Sequence, residues 1–175
     1  MHLTTSQAQS KLSLLAAILA LADPLTGNAQ FKRLDQAKVF PPGLVYAVPG
    51  AVVEAPVRLQ VFAAYHINAE KPTFDYMIPT KLEWTSSGNL KLLGVDYPRP
   101  EKRTFGFAPE KPLEVYQGEV VIRSRFQAPP AAKREPPYQV KLTGKLTYQA
   151  CDDKVCYPPV TVAVTGEVEI LPKGK

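Results

Sequence analysis

Apolar and polar residues alternate with a period of two along most of the chain, and that pattern predicts strands with one buried face. Val57, Leu59 and Val61 alternate with Arg58 and Gln60, and Leu82 and Trp84 with Lys81 and Glu83. Val120 and Ile122 open a strand that runs on into Arg123-Ser-Arg125. The clearest run places Val140, Leu142, Leu146 and Tyr148 on one face, with Lys141, Thr143, Lys145, Thr147 and Gln149 on the other. A second run puts Val160, Val162, Val164, Val168 and Ile170 on a common face. No helical period of comparable strength follows residue 30. The 18 prolines, clustered at Pro41-Pro42, Pro98/Pro100, Pro109/Pro112, Pro129-Pro130, Pro136-Pro137 and Pro158-Pro159, punctuate these segments and disfavour long helices. Short strands separated by Pro and Gly turns predict an all-β fold, an immunoglobulin-like antiparallel β-sandwich.

The N-terminal stretch follows a different pattern. Lys11 precedes an apolar run over residues 12–22, followed by Pro24 and small residues around Gly27-Asn-Ala29. This is the order of a cleavable secretory signal peptide, expected over residues 1–29, with cleavage after Ala29 or, second, after Ala22. The run is too short to span a bilayer, which needs about 20 apolar residues. Residues 30–42 have no apolar face, and residues 30–50 are expected as an extended arm, leaving 51–172 for the sandwich. At 175 residues the chain has room for one domain with a real core. The mature protein is expected to be exported, to the periplasm or beyond, without inserting into a membrane.

Charge changes this picture little. The formal net charge is +5, and removal of residues 1–29 takes away one Lys and one Asp and leaves it unchanged. The densest basic spots, Lys133-Arg134 and Arg123/Arg125, are not interleaved with stacking aromatics, so a nucleic-acid partner is not expected. No Gly-rich phosphate loop, Gly-x-Ser-x-Gly elbow or His-Glu-x-x-His helix is present. His66 is the only histidine after the leader, and no acid neighbours it in sequence, so a packed or hydrogen-bonded role is expected.

The candidate chemistry is concentrated in Tyr148-Gln-Ala-Cys151-Asp-Asp-Lys-Val-Cys156-Tyr-Pro-Pro159, which holds both cysteines of the chain. Strand alternation puts this segment in the connection of a hairpin at one end of the sandwich. Two thiols there can form a structural staple, bind metal or exchange electrons with another protein. A staple closing a loop of six residues contributes about 2 kcal/mol in the chain-entropy estimate, and it cannot tie distant strands across the core. A local, exposed disulfide is also open to a partner thiolate. Metal is disfavoured, because zinc and copper sites recruit three or four ligands and the remaining donors are few. Asp152 and Asp153 disfavour a thiolate at Cys151, with Lys154 compensating in part, and no helix N-terminus activates it. The pair therefore reads as one opened by an activated partner, with the acidic residues shaping a polar turn.

These residues resemble the N-terminal periplasmic domain of the thiol:disulfide interchange protein DsbD family. Two further segments are similar to the same family: Tyr65-His-Ile-Asn-Ala-Glu-Lys-Pro72 with Ile78-Pro-Thr80, and Pro112-Leu-Glu-Val-Tyr-Gln-Gly-Glu-Val-Val-Ile122. The resemblance covers about residues 50–171. It implies an immunoglobulin-like sandwich in which Cys151 and Cys156 cycle between disulfide and dithiol, without cofactor. The implied partners are periplasmic thioredoxin-fold proteins and a separate membrane electron carrier. It also implies an aromatic cap over the pair, with Phe105 or Phe107 in the corresponding stretch and Tyr65 lining the site. Two departures stand out. The best-known members have five residues between the cysteines and this chain has four. The full-length transporter continues into membrane and thioredoxin-like domains, so this chain is expected either to work with separate proteins or to keep the fold for another use. The alternative from another class is a non-catalytic immunoglobulin-like interaction module with a structural hairpin disulfide; a metal-binding module comes third.

Overall fold

A computed structural model describes residues 36–130 and 135–173. The expected signal peptide and Lys133-Arg134 lie outside the described residues. Twelve strands form within them: β1 (Ala37–Phe40), β2 (Leu44–Ala47), β3 (Val52–Val61), β4 (His66–Asn68), β5 (Lys81–Ser86), β6 (Lys91–Asp96), β7 (Glu101–Phe105), β8 (Ala108–Tyr116), β9 (Glu119–Gln127), β10 (Tyr138–Tyr148), β11 (Ala150–Cys151) and β12 (Val160–Ile170). Among the described residues there is no helix.

The alternation in the sequence decides how the main strands are used. In β3 the apolar set Val57, Leu59 and Val61 is buried, and in β9 so are Val120, Ile122 and Phe126. These strands pair antiparallel and are flanked by β1 and β6, giving a sheet of order β1-β3-β9-β6. In the second sheet, β2-β12-β10-β5, the long β10–β12 ladder runs from Tyr138↔Ile170 to Tyr148↔Val160. Leu142, Leu146, Val164, Val168 and Ile170 point from it into the interior. The two sheets share two apolar clusters, one around Leu59, Ile122, Leu146 and Val164, the other around Ala55, Phe126, Leu142 and Ile170. Each such side chain contributes roughly 1.5–3 kcal/mol when fully buried. This is an immunoglobulin-like β-sandwich.

Two details tie the sheets together. Trp84 on β5 donates its indole N–H to the hydroxyl of buried Ser124 on β9, at 2.8 Å, and meets Phe126 edge-on. The indole's polar handle is thereby satisfied while its body fills the core. At Gly144 a Cβ would lie 2.6 Å from the Glu83 carbonyl oxygen, so only glycine allows β5 and β10 to approach at the point where their register shifts.

The segment expected as an arm is described from Gln36 onward. It runs extended, and it is built into the sandwich as two edge strands. β1 pairs with β3; Pro41-Pro42-Gly43 then carries the chain to the other sheet, where β2 joins β12. That last pairing is parallel, the exception in an otherwise antiparallel set.

A third, smaller sheet of order β11-β4-β8-β7 forms where β10 runs out. Its own cluster gathers Met77, Phe105, Ala108, Leu113 and Val115. This sheet was not read from periodicity. β4 is three residues, His66-Ile67-Asn68, all buried, so it shows no alternation. β8 carries Pro109 and Pro112 within its span.

Candidate functional site

β10 ends at Tyr148, and Gln149 stands outside the ladder. Ala150 and Cys151 then leave the sandwich sheet and pair with Ile67 and His66 of β4. The Gln149 side chain fixes this departure. Its carbonyl oxygen accepts from the Asn68 amide and from the Ile78 backbone N–H, both at 3.2 Å, and its amide donates to the Tyr157 carbonyl at 3.1 Å. One side chain thus joins β4, the segment before β5 and the cysteine loop.

Cys151 and Cys156 form a disulfide, with Cα atoms 4.0 Å apart, and they face each other as an isolated antiparallel bridge. The turn between them is held by Asp152. One of its carboxylate oxygens accepts the backbone N–H groups of Lys154 (2.8 Å) and Val155 (2.9 Å), and the other accepts the Tyr157 hydroxyl at 2.6 Å. The Tyr157 hydroxyl and these N–H groups hold the Asp152 carboxyl down at about 2. The same hydrogen bond pushes the Tyr157 phenol up to about 12. Asp152 therefore works as the brace of a polar turn. Asp153 is exposed beside it.

The expected local, exposed disulfide is exposed at one of its two cysteines only. Cys151 has no solvent-accessible surface, whereas Cys156 is exposed. The reason is the switch at Gln149, which moves Cys151 off the solvent side of β10 and against β4. Cys156 lines a pocket of about 180 Å³ with Tyr76, Met77, Phe107, Ala108, Leu113 and Gln149. Tyr76 is 78% exposed and Phe107 41% exposed, so apolar surface rims the accessible sulfur residue. A larger cleft of about 870 Å³, mixed in charge with Glu70, Lys71, Asp96, Arg99 and Lys102, shares no lining residue with it.

The three aromatic candidates occupy different places. Phe107, at the tip of the β7–β8 hairpin, lies on the pocket beside Cys156. Phe105 is buried and stacks between Phe107, at 5.5 Å, and His66, at 4.0 Å. Tyr65 meets Tyr157 edge-on at 5.8 Å, next to the cysteine loop.

Sequence reasoning set His66 aside, yet it is the direct cross-strand neighbour of Cys151. Residues opposite each other in an antiparallel pair project from the same face, with Cβ atoms about 4.5–5.5 Å apart. His66, Cys151 and Cys156 thus form one row over three adjacent backbones. His66 is 1% exposed, and its Nε2 has no hydrogen-bond partner. Burial holds its imidazole down at about 4; Asp153 pulls upward, Arg103 downward and Asp152 upward, each less strongly. Only its separation of 85 positions from Cys151 hid this contact in the sequence. No group of three or more His, Cys, Asp or Glu among the described residues is placed to hold a metal ion.

The architecture is that of a β-sandwich domain carrying one disulfide in an end loop, half buried and half presented to solvent. The chain belongs to the family described as thiol:disulfide interchange protein DsbD, N-terminal, which it matches over residues 36–167. Among solved structures it is similar to the N-terminal periplasmic domain of ScsB from Proteus mirabilis, at 17% identity and a TM-score of 0.50, over 75% of this chain and 46% of that one. The reduced N-terminal domain of DsbD from Neisseria meningitidis is 19% identical with a TM-score of 0.43, over 77% of this chain and 89% of that one. These likenesses concern the fold. The chain spans less than half of the ScsB chain. No curated protein matches it. Family membership and the Cys151–Cys156 disulfide together support thiol–disulfide exchange as the chemistry of the site.

Proposed function

We propose that this chain is an exported relay that passes reducing equivalents between thioredoxin-fold proteins through Cys151 and Cys156. The observation that carries the reading is the unequal burial of the pair: Cys151 is enclosed and Cys156 opens onto an apolar-rimmed pocket. A partner thiolate attacks the Cys156 sulfur. A partner–Cys156 bond forms, the Cys151–Cys156 bond breaks, and Cys151 leaves as a thiolate that takes up a proton. The partner's second thiol then loses its proton and attacks the partner's sulfur in the mixed disulfide, and Cys156 is released and protonated. Two electrons and two protons end on the pair, and the same steps in reverse deliver them to an acceptor disulfide.

The surroundings fit an attacked pair better than an attacking one. The ionised Asp152 and the burial of Cys151 both oppose a standing thiolate there. Phe107 is the better-placed cap, since it shares the pocket with Cys156, while Phe105 supports it from below. Tyr65 supports the loop through Tyr157. Family membership supports an exported, periplasmic setting with thioredoxin-fold partners; to this we add, as part of the proposal, removal of residues 1–29 and a membrane electron carrier as a partner. No helix among the described residues is long and apolar enough to cross a membrane.

Trapping tests both the relay and the order of attack. Cys151→Ala, which leaves Cys156 as the sole thiol, is expected to accumulate a mixed disulfide with a thioredoxin-fold protein at least tenfold above Cys156→Ala. Equal trapping or a reversed ratio overturns the order, and no trapping by either variant overturns the relay.

A further inference from the structure

We propose that His66 is the hydrogen-bond acceptor of the Cys151 thiol when the pair is reduced, so that reduction supplies the partner its Nε2 lacks in the disulfide form. Three observations converge. His66 and Cys151 are direct partners in the β4–β11 ladder and project from one face. The imidazole is 1% exposed, held by its stack on Phe105, and its Nε2 is buried without a partner. Cys151, also without solvent access, is bonded to Cys156 and has no proton to offer.

A buried polar nitrogen without a partner is costly, and such atoms in a folded protein call for an explanation. A disulfide sulfur cannot donate, whereas a thiol can. Reduction converts Cys151 from the first to the second. With Nδ1 carrying the ring proton, Nε2 then accepts the Cys151 S–H. Burial keeps the imidazole neutral near pH 7, and a neutral imidazole is the form that can accept. When the dithiol passes its electrons on, Cys151 attacks the Cys156 sulfur of the mixed disulfide. As the Cys151–Cys156 bond forms, the Cys151 proton passes to the departing acceptor thiolate or to water, and the imidazole stays neutral throughout.

This role rests on the relay reading, but it is tested without a partner protein. The equilibrium of the full chain with reduced and oxidised glutathione is measured for the wild type and for His66→Phe, which keeps a ring on Phe105 and removes the acceptor. The variant disulfide is expected to be about tenfold harder to reduce, a shift of about 30 mV to more negative potential. His66→Gln, which restores an acceptor oxygen, is expected to recover most of that shift. An equilibrium constant for His66→Phe within twofold of wild type overturns the inference while leaving the relay standing. A wild-type disulfide that glutathione does not reduce at all overturns the relay instead. A measurement on the unmutated chain covers the case of a variant that fails to fold. The ¹⁵N resonance of His66 Nε2 is expected to move upfield on reduction, as an acceptor nitrogen does, and a resonance that stays in place contradicts the assignment.

Discussion

The two ends of the molecule solve the problem of burial in different ways. In the body of the sandwich the long strands β3, β9, β10 and β12 alternate apolar and polar residues, and the buried Ser124 is matched to the Trp84 indole. At the cysteine end the strands are short and the buried residues include His66, Asn68 and Thr80. Both buried side-chain atoms found without a hydrogen-bond partner among the described residues, His66 Nε2 and Asn68 Oδ1, lie there. Exposed apolar side chains do not separate the two ends: Leu44, Tyr46, Val52 and Leu93 are exposed on the sandwich, as Tyr76, Phe107 and Val155 are near the cysteines. The difference lies in the buried polar groups: paired in the body and left partly unpaired at the cysteine end, they mark the second region as the working one.

The contrast predicts where stability resides. Phe126→Ala, in the shared core, is expected to cost about 3–5 kcal/mol in denaturant unfolding and to leave the reduction potential of the folded protein unchanged. Reducing the disulfide is expected to cost about 2 kcal/mol, because it closes a loop of only six residues. A larger loss on reduction than in Phe126→Ala would reverse the roles assigned to the two ends. Gln149→Ala removes bonds to Asn68, Ile78 and Tyr157 and is expected to cost on the order of 1–2 kcal/mol. Its specific signature is faster amide exchange at Ile78 and in the cysteine loop, with the β10–β12 ladder still protected.

The subtlest difference between the ends is in acid. The folded-state pKa of His66 is about 4 against about 6.5 unfolded, so between those values the unfolded chain holds a proton that the folded chain refuses. Stability therefore falls as pH drops from about 6.5 to 4, with a slope of at most about 1.4 kcal/mol per pH unit. Below that, Asp152 adds a loss of the same sign as pH falls from its ordinary 3.8 toward about 2. His66→Phe is expected to flatten the upper part of the profile and leave the lower part, which pH-dependent unfolding resolves directly.

The same contrast governs what could be read in advance. β3, β5, β9, β10 and β12 were legible because each carries several alternating residues, and their apolar faces point inward as the pattern required. The alternation in β10 and β12 passes through Gly144 and Gly166, both buried, where close approach of a neighbour replaces a side chain. β1 and β2 escaped notice as strands because four residues beside Pro41-Pro42 are too few to show a period. The third sheet was illegible for a different reason: β4 is buried throughout, and β11 exists only because Gln149 breaks the ladder. The cysteines, their hairpin position and the polar turn were visible locally. The burial of Cys151 and its pairing with His66 were not, because both depend on a strand brought in from 85 positions away.

The most direct test of the account is the reduction potential of the Cys151–Cys156 pair in the purified chain. A relay between thioredoxin-fold proteins requires a value within their own range, about −120 to −270 mV, where electrons can enter and leave. A value below about −300 mV would mark an inert structural bond and contradict the account.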